Sequence, residues 1–286
     1  MPRAHLAAAK VKYGLPAGTE DVLRVLESGI SKLKIAERAR RTQERGTDKK
    51  LNPSISDAGK CSRAVVYSLM NVEESDPPEL DSEMRFIFGH AAEDAIAKIL
   101  EAHQGATVQR EERIEIVAGS RKVTGRSDFG SVLVAVDKET WELKLTNSDA
   151  VWFMLSRNSP NEAHVHQLNL YLHARGEQKG RLVYLVAGAK KGEPCAAAWT
   201  IEHDDEMARN DLQSLINAAE LAEHGILPPI PEGYKQNAFP CGYCNYRTKC
   251  WLAASITQGL AAYIVGADAE ATTGRCEGNP SYLKEK

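Results

Sequence analysis

The sequence predicts an α/β fold, a central mixed β-sheet flanked by helices, and three observations carry that expectation. Apolar residues recur at helical spacing in long segments on both sides of a central stretch. That central stretch has short alternating runs bounded by turn residues, as strands do. At 286 residues and 43% hydrophobic content the chain can bury a core without disulfides, and the order helix, strands, helix, strand suits helices packed on a mixed sheet.

The elements follow in order. Thr19–Glu44 reads as a helix with Val22, Val25, Leu26, Ile30, Leu33 and Ile35 on its apolar side. Its second half is basic (Lys32, Lys34, Arg38, Arg40, Arg41, Arg45), a solvated face or a phosphate-tracking arm. Asn52–Lys60 is a loop, and a helix from Cys61 stops before Asp76-Pro77-Pro78. Ser82–His103 is a longer helix whose predicted apolar side is Ala91, Ala92, Ala95, Ile96, Ile99 and Leu100. Val108–Val117, Arg121–Gly125, Phe129–Val136 and Thr140–Leu145 read as strands, with turns at Gly119-Ser120 and Asp137-Lys138. Glu162–Arg175 returns to helical spacing, Arg181–Ala187 and Ala196–Ile201 are strands, and Asp204–His224 is a helix with acidic residues in its first turn. Pro228, Pro229 and Pro231 open a connector to a cysteine-rich segment, and the tail after Gly266 is small and polar. The expected division is a basic helical extension over 1–60, a core with its cysteine segment over 61–252, and a tail over 253–286.

Composition narrows the function classes. No apolar run approaches the roughly 18 residues of a membrane span, and Lys10 and Lys12 interrupt the short run Leu6–Ala9, so a cytoplasmic protein without a membrane partner is expected. The net charge of -3 counts mildly against a stand-alone nucleic-acid binder, yet metal-binding carboxylates lower the charge of a nuclease too. Six cysteines in a reducing compartment suggest metal or cluster ligation rather than disulfides.

The candidate chemistry lies in Gly125-Arg126-Ser127-Asp128 and, further on, Glu142-Leu143-Lys144. On a strand, Glu142 and Lys144 point to one face and Leu143 to the other. If the strand of Asp128 pairs with this one, two carboxylates and an ammonium converge. Carboxylate oxygens hold hard divalent cations, which activate water and neutralise a phosphate, and a lysine orients that water or offsets developing charge. His90, in Phe88-Gly89-His90-Ala91-Ala92-Glu93, offers an imidazole to the same metal, with Glu93 near the same helix face. Gln167 and Tyr171 share a helix face, from which an amide and a phenol can contact DNA phosphate or set the lysine. His164, His166 and His173 crowd that helix, where the rings of a His-x-His pair diverge.

Cys241-Gly242-Tyr243-Cys244 is a C-x-x-C followed by Cys250, and Cys61, far upstream, is the natural fourth ligand; Cys276 is the alternative. Four thiolates hold either a tetrahedral Zn²⁺ or a [4Fe–4S] cluster, and the spacing leaves both open. Cys195 reads as a core cysteine beside a strand.

The joint order of cysteine, histidine, G-x-x-D, E-x-K, Q-x-x-x-Y, C-x-x-C and a last cysteine resembles the RecB-like PD-(D/E)xK nucleases with a four-cysteine iron–sulfur cluster. CRISPR-associated single-domain exonucleases (the fourth Cas protein) and their phage-encoded relatives are similar in size and architecture. The match spans about Cys61 to Trp251, and Ser127 stands where the motif's name has proline. The resemblance implies a restriction-endonuclease-like core with metal binding by His90, Asp128 and Glu142, using Mg²⁺ or Mn²⁺. It implies catalysis by Lys144 with support from Gln167 and Tyr171, DNA contacts from Arg126, Gln167 and Tyr171, and a [4Fe–4S] cluster on Cys61, Cys241, Cys244 and Cys250 that staples the two ends of the core. The expected activity is a DNA exonuclease acting on single strands or ends in recombination, repair or CRISPR adaptation, with protein partners in such a complex. The alternatives are a non-catalytic nucleic-acid-binding module with a Cys₄ zinc site, and a nuclease subunit active only within a larger assembly.

Overall fold

The computed structural model describes residues 19–45, 51–104, 108–134 and 137–255. The elements are α1 (Thr19–Arg45), α2 (Ser62–Leu69), α3 (Leu80–Gln104), β1 (Gln109–Ala118), β2 (Arg121–Val134), β3 (Asp137–Asn147), α4 (Ser148–Arg157), α5 (Glu162–Arg175), β4 (Lys179–Ala187), β5 (Ala196–Glu202) and α6 (Asp205–Glu223). The strands form one five-stranded sheet in the order β1-β2-β3-β4-β5. Only β3 and β4 run parallel; the other neighbours are antiparallel. A parallel pair needs a crossover, which α4 and α5 supply. The expected mixed sheet flanked by helices is therefore present. No helix among the described residues is long and apolar enough to cross a membrane. The predicted tail and Cys276 lie outside the described residues.

Alternation along the strands separates two packing layers. Leu143 and Val183 pack with Phe129 and Val132 against Ala97 and Leu100 of α3. Leu182, Tyr184 and Val186 pack on the other side with Leu168 and Leu172 of α5 and Val151 and Met154 of α4. Every residue from Gln167 to Leu172 is buried, because α5 also packs against the segment around Ile55, which is fully buried with Leu170 and Tyr171. The small residues Ala208, Ala218, Ala219 and Ala222 let α6 approach Val65, Val66 and Leu69 of α2 closely. Caps fix the ends: Asn161 accepts from the Ala163 N–H at the start of α5, and Gly176, at φ 66°, closes it in a left-handed turn.

Three local differences from the sequence reading have physical causes. β2 is one continuous strand rather than two, bent by a register shift between Phe129 and Val132. The helix α4 was not expected; Asn147 caps it directly at the end of β3, accepting from the Ala150 N–H, with no turn to announce it. Its Trp152, Phe153 and Leu155 are exposed while Val151 and Met154 are buried, so no clean apolar stripe stands out. The buried side of α3 is centred on Ala97 and Leu100, with Ile99 exposed, and so is rotated from the predicted one.

Candidate active site and cysteine site

The parallel register of β3 and β4 turns Glu142 and Lys144 away from Leu143 and onto the face covered by α5. Glu142 is fully buried, and Lys144 Nζ donates to its Oε1 at 2.5 Å. The other carboxylate oxygen, Oε2, is buried without a hydrogen-bond partner. Asp128 arrives from the bent part of β2, and its Oδ2 accepts the Leu143 backbone N–H at 2.7 Å. The carboxylate thus replaces a rung of the β2–β3 ladder, which locks it beside Glu142.

The charges here are strained. Burial first, then the Glu142 carboxylate, push Asp128 up to about 8. Burial also raises Glu142. Burial alone would lower Lys144, but the charges of Glu142, Asp128 and Glu93 outweigh it and hold the ammonium above its ordinary value. Two acids sharing a buried space with one ammonium are one positive charge short of balance, and Glu142 Oε2 lacks a donor. A divalent cation answers both deficits, so the donor set fits one.

The third acid is Glu93 of α3, near enough for its charge to raise both Asp128 and Glu142. His90, one turn earlier, has a side chain 79% exposed and meets the group only through Glu93, with Nδ1 3.5 Å from Oε2. The imidazole expected at the metal therefore stands outside the cluster.

Gln167 and Tyr171 lie side by side on α5, and Gln167 hydrogen-bonds the phenol. Tyr171 Oη donates to the Arg126 carbonyl at 2.7 Å, tying α5 to β2 two residues before Asp128. Gly125 permits this: a Cβ there would lie 2.9 Å from Ile55 Cβ and 3.0 Å from the Tyr171 ring and hydroxyl. The Arg126 guanidinium is exposed, 4.0 Å from Glu111. His164 was not singled out for this site, yet it lies three and seven residues before Gln167 and Tyr171, on their face. Its Nδ1 is 2.9 Å from Tyr184 Oη. Burial, then the charges of Lys144 and Lys60, push His164 down to about 3, so it stays neutral. The i, i+3, i+7 spacing was the available signal. His166 points elsewhere, with Nδ1 2.8 Å from Asp211 Oδ2.

Four cysteines gather at the other end of α2. Cys61 precedes its first turn, Cys241 and Cys244 bracket a short 3-10 turn, and Cys250 lies in a final helix over 247–255. Burial first, then the neighbouring thiols including Cys61 and Cys250, raise Cys241 and Cys244. Buried Arg63 reaches into the group, its Nε 3.1 Å from Cys250 Sγ and its Nη1 donating to the Pro228 carbonyl. Asp76 clamps the segment from α2's side, accepting from Arg247 Nη2 and from the Thr248 N–H and hydroxyl. Among the described residues no three of these sulfurs lie mutually within 4.8 Å. Tetrahedral zinc, with Zn–S near 2.3 Å, needs sulfurs about 3.8 Å apart. Cys195 is exposed rather than in the core.

No protein-family model matches the chain, and no curated protein matches it in sequence. Solved structures do. The crystal structure of SSO0001 superposes with a TM-score of 0.50 at 19% identity, over 79% of this chain and 96% of its own. The alkaline exonuclease LHK-Exo from Laribacter hongkongensis gives 0.45 at 15% identity, over 64% and 93%. A phage-related exonuclease from Haemophilus somnus 129PT gives 0.40 at 11%, over 61% and 95%. The first of these likenesses defines a shared fold.

Proposed function

We propose that the chain is a divalent-metal-dependent deoxyribonuclease of the RecB-like PD-(D/E)xK type, hydrolysing phosphodiester bonds as an exonuclease on single strands or ends. The observation that carries this reading is Glu142: a fully buried carboxylate with one oxygen on Lys144 and the other unpartnered, facing Asp128. Asp128 and Glu142 would hold Mg²⁺ or Mn²⁺, with Glu93 beside them and His90 behind Glu93. The ion supplies the Lewis acidity that activates water and neutralises the phosphate. Lys144, held charged by its acidic neighbours, orients the attacking water and offsets charge gathering on the phosphate oxygens. Tyr171, already engaged with the Arg126 carbonyl, acts with Gln167 to position β2, while the exposed Arg126 guanidinium is free to meet a DNA phosphate.

The four cysteines would carry a [4Fe–4S] cluster. Buried Arg63 supports that reading, because a guanidinium donating to Cys250 Sγ offsets the charge of a thiolate group. The cluster would fasten the segment after Pro240 to α2, and the motif order suggests work in recombination, repair or CRISPR adaptation beside protein partners.

Purified protein should degrade DNA only with added Mg²⁺ or Mn²⁺. Lys144→Ala should abolish cleavage while retaining the circular dichroism and DNA affinity of the parent; full cleavage in that variant refutes the assignment. Anaerobic protein should be brown, and a colourless preparation holding one zinc refutes the cluster alone.

A further inference from the structure

We infer that the chain has a second, separate metal site, made by His173, His203 and Asp205, suited to Zn²⁺ or a similar borderline transition ion. These residues come from the last turn of α5, the start of the β5–α6 connection and the first residue of α6. Their ligand atoms lie within 4.8 Å of one another, the only such trio among the described residues. His173 Nδ1 is 3.7 Å and His203 Nε2 3.8 Å from Asp205 Oδ1. The two imidazole rings are 5.5 Å apart, centre to centre.

An independent observation points into this space. The His203 side chain is only 11% exposed, and its Nε2 is buried without a hydrogen-bond partner. A buried ring nitrogen facing a second imidazole and a carboxylate lacks only an acceptor of its lone pair, which a metal ion provides. Two neutral imidazoles and one carboxylate form a donor set that binds zinc, with a fourth position left for water. Ligands around zinc at about 2.0–2.1 Å stand roughly 3.4 Å apart, close to the 3.7 and 3.8 Å that already separate the two imidazole nitrogens from Asp205 Oδ1.

The ligands are held in place before any ion arrives. Fully buried Asn169 grips the backbone between His203 and Asp205: its Nδ2 donates to the Asp204 carbonyl at 2.9 Å and its Oδ1 accepts the Asp204 N–H at 2.8 Å. The His203 N–H donates to the Gln178 carbonyl, and the Asp204 side chain caps α6 on the Met207 N–H. Such outer contacts orient ligands in metal sites. An ion here would tie the end of α5, the helix carrying Gln167 and Tyr171, to the start of α6. It stands apart from the acidic cluster on β2 and β3 and from the cysteines.

The test uses the full chain, purified anaerobically, stripped of divalent ions with chelator and then titrated with Zn²⁺ in excess Mg²⁺. Wild type should bind one more zinc than His203→Ala, and X-ray absorption should give that zinc a nitrogen and oxygen shell without sulfur. Zinc should raise the melting temperature of wild type by roughly 5 °C and leave that of His203→Ala unmoved. Equal zinc in the two proteins, or a sulfur shell for the extra ion, overturns the assignment. Should His203→Ala fail to fold, Asp205→Asn decides, since that side chain is 68% exposed: it should lose most of the extra zinc, and full retention overturns the site.

Discussion

Asp128→Asn should make the metal-free protein more stable while destroying its activity. Asp128 has an ordinary value of 3.8 and is pushed up to about 8 in the fold, first by burial and then by Glu142. The native state therefore holds a proton that the unfolded chain has released throughout that interval, so stability is greatest at and below about pH 4 and falls as the pH rises toward 8. At 1.36 kcal/mol per unit, the interval from 3.8 to neutrality comes to about 4 kcal/mol at pH 7, an upper bound because Asp128 is only partly buried and the surroundings relax. Asparagine removes the charge and keeps an oxygen for the Leu143 N–H. Urea unfolding with chelator, from pH 5 to 8, should give a falling midpoint for wild type and a much flatter one for the variant. Adding Mg²⁺ should raise wild type and leave the variant unmoved, since an ion that binds only the native state stabilises by about 2.7 kcal/mol at a hundred times its Kd. Equal pH slopes for the two proteins would refute the claim that this carboxylate is held against its preference for a cation.

Glu93→Gln should raise the Mg²⁺ concentration for half-maximal cleavage about tenfold, as loss of a supporting carboxylate does, and His90→Ala should raise it less; the reverse ranking in a metal titration would restore the imidazole as the ligand. Gly125→Ala should cost about 1–3 kcal/mol in thermal or urea unfolding, the usual range for overpacking, and should lower cleavage, because the added methyl displaces Ile55 or Tyr171. Burial would raise Asp76, but hydrogen bonds from Thr248, Ser75 and Arg247 hold it at about 2, so its grip on the cysteine segment is complete above about pH 4 and is lost as the pH falls toward 2. Hydrogen exchange should accordingly find the Thr248 amide protected at pH 6 in the parent and unprotected in Asp76→Ala.

The sheet was legible because strand alternation and the crossover between β3 and β4 both follow from local pattern. The break read at Gly125–Asp128 was not a break: the glycine and polar residues there suit a turn, but the strand stays extended because Tyr171 packs on Gly125 and bonds the next carbonyl. Long-range packing decided that point, and sequence pattern carries no record of it. The convergence of Asp128 with Glu142 and Lys144 was legible as residue types, whereas the hydrogen bond from Leu143 that fixes it depends on the register shift in β2. Cys61 was joined to the C-terminal trio only because a fourth ligand was needed, and Arg63 and Asp76, which hold that segment, belong to no spacing rule.

The exchange of His90 for Glu93 turns on how α3 is rolled against the sheet. An apolar side drawn through Ala91, Ala92, Ala95, Ile96, Ile99 and Leu100 treats the alanines as core along with Ile96 and Leu100, but alanine is equally at home on an exposed helix face. Only Ala97 and Leu100 are buried, with Ile96 at their edge. Glu93 precedes Ala97 by four residues and Leu100 by seven, so it shares their stripe and its side chain is only 21% exposed, whereas the His90 side chain, one turn earlier, is 79% exposed. A buried stripe that begins with a glutamate needs a reason for the charge, since desolvating a lone carboxylate is costly. Here that charge lies beside those of Glu142 and Asp128, both of which it raises.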